Sequence, residues 1–138
     1  MSPDAAGYSG TPLWKKLGLK PGDRVRTKNA PEHYPILLSP LPAGVHLSPR
    51  LRSDVDLWHL FTRRRTELSE SLAQAMGQIR RDGMIWVSWP KRTSGVASEV
   101  TEDTVREIAL PMGLVDVKVC AVDEVWSGLK LVIRKELR

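Results

Sequence analysis

Between Gly83 and Gly95 the chain reads GMIWVSWPKRTSG, and Met84 to Trp89 form an almost unbroken apolar run. A half-exposed strand would alternate apolar with polar residues. A continuous run needs cover on both faces, as an inner strand of a parallel sheet receives from the helices packed above and below it. Gly83 and Pro90 bracket the run too closely for a helix. Pro90 lacks the N–H that a ladder needs, so it marks the carboxyl end of the strand. A second run, VDLWHLF from Val55 to Phe61, is apolar on both parities and reads as another inner strand. Inner strands of this kind demand helices on both sheet faces, which places the chain in the α/β class.

The remaining segments supply those helices and the sheet edges. Thr11 to Leu19 predicts a short helix, with Thr11 as cap and Pro12 in its first turn. Asp23 to Asn29 alternates Val25, Thr27 and Asn29 with Arg24, Arg26 and Lys28, the pattern of a strand with cationic stems lying over one face. Pro31 to Leu38 predicts a helix that turns Tyr34, Leu37 and Leu38 inward, and a short strand is expected around Val45 to Leu47. After Thr62, a candidate cap, Leu68, Leu72, Ala75, Met76 and Ile79 fall on one helical face. That helix is expected to run to Arg80 and Arg81, where cations suit the dipole, with Asp82-Gly83 as its stop.

Thr101-Glu102-Asp103 predicts another capped helix start, with Val105, Ile108 and Ala109 facing inward. Val115–Ala121 and Leu129–Ile133 alternate, joined by a turn or loop from Asp123 to Gly128, which predicts a closing antiparallel hairpin. Residues 1–10 read as a flexible tail and 11–138 as one domain.

At 138 residues the chain can bury one core. Its single cysteine, Cys120, excludes an intrachain disulfide and sits in a strand pattern, as a small core residue does. With no CxxC or Cys/His cluster, no metal site is expected. The polar amino terminus lacks the apolar core of a secretory signal, and no segment reaches transmembrane length, so the expectation is a cytoplasmic protein with no membrane partner. The net charge of +5 is spread along the chain, which makes nucleic acid a less favoured partner than charge alone suggests.

The order of strands and helices, closed by a hairpin, resembles the second half of the methyltransferase version of the Rossmann sheet. The passage from Leu72 to Val87, with Gly77 and then IRRDGMIWV, is similar to the helix–glycine–strand passage of that superfamily. The whole chain also resembles an uncharacterised bacterial domain-of-unknown-function family. That likeness is carried by Ser9-Gly10-Thr11-Pro12, Trp89-Pro90-Lys91 and Trp126-Ser127-Gly128. The resemblance implies a three-layer Rossmann-like domain, mostly parallel, shortened by about one strand–helix unit in its first half.

In that superfamily a glycine-rich turn after the first strand lets backbone approach the cofactor closely. The matching segment here, Asn29-Ala30-Pro31-Glu32-His33-Tyr34, has no glycine, and Pro31 has no N–H. Where several such enzymes carry a catalytic Asn/Asp-Pro-Pro motif, this chain reads Leu60-Phe61-Thr62-Arg63. No cofactor and no catalytic residue are therefore expected, and an S-adenosylmethionine enzyme with an atypical pocket is the alternative. Ligands of open α/β sheets bind outside the strands' carboxyl ends. Lys91, Arg92, Thr93, Ser94 and Gly95, with Asn29, are accordingly the candidate ligand-binding residues for a small anion. Trp126, Ser127 and Gly128 form a candidate interface for a protein partner, because an exposed indole at a hairpin suits one. His59, within an apolar strand, reads as a hydrogen-bonded core residue, while His33 and His46 lie on separate segments. Asp123 and Glu124 read as solvated turn residues.

Overall fold

The computed structural model describes residues 10–138. A six-stranded sheet in the order β2-β1-β3-β4-β6-β5 organises them. β1 (Arg24–Lys28), β2 (His46–Ser48), β3 (Val55–Phe61) and β4 (Ile79–Pro90) are mutually parallel. β6 (Trp126–Ile133) runs antiparallel to β4, and β5 (Leu114–Ala121) antiparallel to β6 at the edge. The fold is thus a mixed α/β, Rossmann-like sheet with a closing hairpin.

Period-two alternation divides the inner strands between two cores. Trp58 and Leu60 of β3, with Ile85, Val87 and Trp89 of β4, pack under α3 (Arg65–Met76) and α4 (Glu102–Ala109). Leu57, Phe61 and Trp86 pack on the opposite face, under α1 (Leu13–Leu17) and α2 (Tyr34–Leu38). Leu57 to Phe61 and Ile85 to Pro90 are buried throughout, because helices cover both sides. On β1 only Val25 and Thr27 are buried. The alternating cations lie over the sheet as stems. The Arg26 guanidinium sits 4.9 Å above the Trp58 ring, and Lys28 Nζ donates to Ser71 Oγ at 2.9 Å. α4 begins with a capping box made by Thr101 and Thr104.

Several element limits differ from the sequence expectation. α3 stops at Met76, capped by Gly77, and Arg80 to Asp82 belong to β4. Pairing with β3 explains the change: Val55 faces Ile79 and Leu57 faces Met84, so the intervening β4 residues bulge out of the ladder. Asp82-Gly83 is therefore not a helix stop, and the helix-dipole account of Arg80 and Arg81 does not apply. Arg80 instead pairs with Asp56 at 3.1 Å. A Cβ on Gly83 would lie 3.0 Å from the Arg80 carbonyl oxygen and 3.1 Å from that of Val55, so any larger residue here crowds the backbone of the bulge. Pro12, not Thr11, precedes α1, and Arg64, not Thr62, is the residue before α3. α2 begins at Tyr34, three residues later than Pro31. β6 begins at Trp126 rather than Leu129.

Candidate ligand-binding edge

Strand order reverses beside β1: β2 lies on one side of it and β3 on the other. Carboxyl ends diverge at such a switch point and leave a crevice. Here the crevice is a hollow of about 440 Å³ lined by Asn29, Phe61, Thr62, Arg63, Arg64, Glu67 and Trp126.

Asn29 leaves β1 with φ 60°, a left-handed conformation that asparagine tolerates better than most residues. This aims its side-chain amide across the crevice, where Nδ2 donates to Phe61 O at 3.2 Å and to Glu67 Oε2 at 3.0 Å. The Thr62 hydroxyl donates to the other oxygen of the same carboxylate. The ends of β1, β3 and the start of α3 are thereby clasped together. Trp126 packs edge-on against Phe61, with ring centroids 5.1 Å apart.

Below the clasp, on the α2 face, a buried polar chain crosses the sheet. The Tyr34 hydroxyl lies 2.6 Å from His59 Nδ1, and His59 Nε2 lies 2.8 Å from Ser88 Oγ. His59 stacks on Phe61 at 4.2 Å. Burial pushes the His59 pKa down to about 3 and the Tyr34 hydroxyl up, so the imidazole is neutral at physiological pH. His59 and Ser88 have no solvent exposure, and the group packs as core.

The crevice adjoins a second hollow of about 320 Å³, which shares Arg63 and Arg64 with it and adds Ala97, Ser98 and Glu99. A third, of about 430 Å³, shares Ser98 and lies against the Lys91–Gly95 turn. Arg63, Arg64 and Arg92 therefore line adjoining hollows along one edge. Among the described residues none of these arginines forms an ion pair. Acidic groups interrupt the edge. Glu99 Oε1 accepts the Arg65 N–H at 3.0 Å at the start of α3, and the Arg65 side chain pairs with Glu107.

The sequence-predicted binding residues separate into free and committed groups. Lys91 to Gly95 fold as a 3₁₀ turn whose Gly95 has φ 77°. Ser94 Oγ donates to Lys91 O at 2.6 Å and accepts the Val96 N–H at 3.1 Å, so its hydroxyl is spent inside the turn. Arg92 and Thr93 are exposed and Lys91 is half-buried. Asn29 lines the crevice, engaged in the clasp, whereas Arg92 and Gly95 line the third hollow instead.

Trp126, Ser127 and Gly128 do not form a loop at the hairpin tip. They pair with Pro90, Trp89 and Ser88 as the first residues of β6, because the turn closes earlier. Gly128 is buried against Trp86 and Val122, while Trp126 is half-buried at the crevice. Asp123 makes the early closure and is not a solvated turn residue. Its Oδ1 accepts the N–H groups of Val125 at 2.8 Å and Trp126 at 2.7 Å, and its Oδ2 lies 3.0 Å from His33 Nε2. His33 thus pairs with Asp123, next to the residue that holds His59. Arg63 and Arg64 are absent from the small-anion candidates that the sequence suggests, and count there only among the spread cations weighed for nucleic acid. The signal was present: they follow the end of an inner strand, as Lys91 and Arg92 do. Cys120 is half-buried, with burial raising its thiol pKa. Among the described residues no group of three or more His, Cys, Asp and Glu side chains is placed to hold a metal ion. No described helix is long and apolar enough to cross a membrane.

This sheet order, with its switch-point crevice and antiparallel closing strands, defines a methyltransferase-like Rossmann domain. The chain belongs to the family described as protein of unknown function (DUF3052), whose model matches residues 51–135. No curated protein matches the chain. Solved structures share the fold at low identity. A SAM dependent methyltransferase from Aquifex aeolicus superposes with a TM-score of 0.63 at 16% identity, covering 88% of this chain and 87% of that one. A "possible exported protein" from Bordetella parapertussis gives 0.63 at 10% identity, covering 88% of this chain and 66% of that one. A protein of the NADB-Rossmann superfamily from Streptococcus agalactiae gives 0.56 at 10% identity, covering 90% and 68%.

Proposed function

We propose that this chain is a non-catalytic, methyltransferase-like binding module that holds a small anionic ligand at the carboxyl edge of its sheet. The Asn29 clasp carries this reading. The place where an adenosyl cofactor needs a glycine turn is spanned instead by a side chain tied to Phe61 and Glu67. Pro31 further removes an N–H from the same turn. Positive charge is nonetheless present, because Arg63 and Arg64 line the crevice and pair with no carboxylate among the described residues. A longer polyanion such as nucleic acid is less favoured, since Glu67 and Glu99 break the basic edge.

The alternative is an S-adenosylmethionine-dependent enzyme with an atypical pocket, and it draws on the fold likeness to the Aquifex aeolicus methyltransferase. One titration separates the two. Pyrophosphate is expected to raise the Tm, with the effect lost in an Arg63→Gln/Arg64→Gln variant and weakened by salt. Stabilisation by S-adenosylmethionine that disappears on Asn29→Ala or Glu32→Ala substitution would overturn the non-catalytic reading.

A further inference from the structure

The hollow against the Lys91–Gly95 turn differs in chemistry from the crevice beside it. Trp89, Pro90 and Val100 form an apolar floor, and Val96 stands at the rim, 39% exposed. Among the described residues Arg92 is the only ionisable side chain on its lining. The hydroxyls around it are already committed. Ser98 Oγ donates to Val100 O and accepts the Val100 N–H, each at 3.0 Å. Thr101 Oγ1 accepts the Thr104 N–H at 3.3 Å as the cap of α4. Ser94 Oγ is engaged within the turn.

A phosphate dianion needs several donors converging on it, and this hollow offers one guanidinium. A carboxylate needs no more than that, because its two oxygens match two parallel N–H groups of an arginine. The apolar floor then requires a body that gains by leaving water. A volume of about 430 Å³ accommodates a small ring system.

We propose that this hollow binds a small monocarboxylate with a flat apolar body, its carboxylate on Arg92 and its body against Trp89, Pro90 and Val96. This rests on the reading of the carboxyl edge as a binding surface, and it names the ligand class of one part of that edge.

The probes are naphthoate, uncharged naphthol and inorganic phosphate, titrated into nitrogen-labelled protein while the Trp89 indole N–H and the Val96 amide are followed by NMR. Naphthoate is expected to shift both signals. Arg92→Gln should weaken it about tenfold or more, the usual consequence of losing a charge-assisted hydrogen-bond pair. Val96→Asp should weaken it as well, by placing a like charge at the rim. Both side chains are exposed, so both variants keep the fold. Arg63→Gln/Arg64→Gln should leave naphthoate binding unchanged. The proposal is overturned if naphthoate shifts neither signal at millimolar concentration, if naphthol binds as tightly as naphthoate, if Arg92→Gln changes nothing, or if phosphate shifts the same signals at equal or lower concentration. Pyrophosphate binding at Arg63 and Arg64 without naphthoate binding would sink this inference alone. Naphthoate binding without pyrophosphate binding would sink the reading of the crevice instead.

Discussion

The Tyr34 hydroxyl and His59 Nδ1 meet at 2.6 Å in a site closed to solvent, joining α2 to the second inner strand. The other ring nitrogen of His59 reaches Ser88, so one imidazole ties three segments. The geometry fits a tyrosine O–H donating to Nδ1 while Nε2–H donates to Ser88.

That arrangement makes stability depend on pH. The unfolded histidine titrates near its ordinary pKa of about 6.5, and the folded one at about 3. Between those values the unfolded chain binds the extra proton, so stability rises with pH across the window. The contribution of neutral His59 is complete above the unfolded pKa and is lost progressively as pH falls toward about 3. The slope from this group cannot exceed about 1.4 kcal/mol per pH unit. Urea unfolding at several pH values should show a smaller acid loss in His59→Gln than in the parent. Equal slopes would mean that His59 takes up its proton alike in the folded and unfolded states.

Tyr34→Phe should destabilise the domain by about 1–2 kcal/mol, because His59 Nδ1 then has no partner in a dry site. Denaturant titration measures the effect. A change of a few tenths would show that water or another donor replaces the hydroxyl.

Gly83 closes the bulge in β4 against neighbouring backbone. Gly83→Ala should cost about 1–3 kcal/mol, the range for an added carbon that neighbouring backbone must shift to admit. The neighbouring exposed Asp82→Ala serves as the control and should stay within about 0.5 kcal/mol. Thermal unfolding of the two variants decides the matter, and similar Tm values would mean that the bulge relaxes.

Asn29 combines a left-handed backbone with the clasp. Asn29→Gly should lose only the side-chain hydrogen bonds, at about 1 kcal/mol, whereas Asn29→Ala should also bear a left-handed cost of about 1–2 kcal/mol. The order Asn, Gly, Ala in falling stability is the expected outcome. An alanine variant more stable than the glycine variant would contradict the conformation.

Asp123→Ala removes the acceptor for two turn N–H groups and the partner of His33. The turn between β5 and β6 should loosen, with faster amide hydrogen exchange at Val125 and Trp126 than in the parent. Unchanged exchange at both amides would assign the turn's order to the strands alone.

Residue order by itself determined the two inner strands, the helical face from Leu68 to Ala75, the capped start at Thr101 and the closing hairpin. Each of these rests on a local period or a local cap, which neighbouring residues carry among themselves. It also set the absence of glycine after the first strand, a matter of composition at one turn. Tertiary structure decided where α3 yields to β4, because the bulge exists only through pairing with Val55 and Leu57. It decided that Asp123 is buried rather than solvated, and that Trp126 already belongs to a strand. Above all it decided the candidate site. Asn29 reaches Phe61 and Glu67 because β1 and β3 are neighbours although the chain between them crosses to the far side of β1, and Arg63 adjoins Ser98 because β3 and β4 end side by side. Strand order sets which side chains converge on an edge, and no local pattern encodes it.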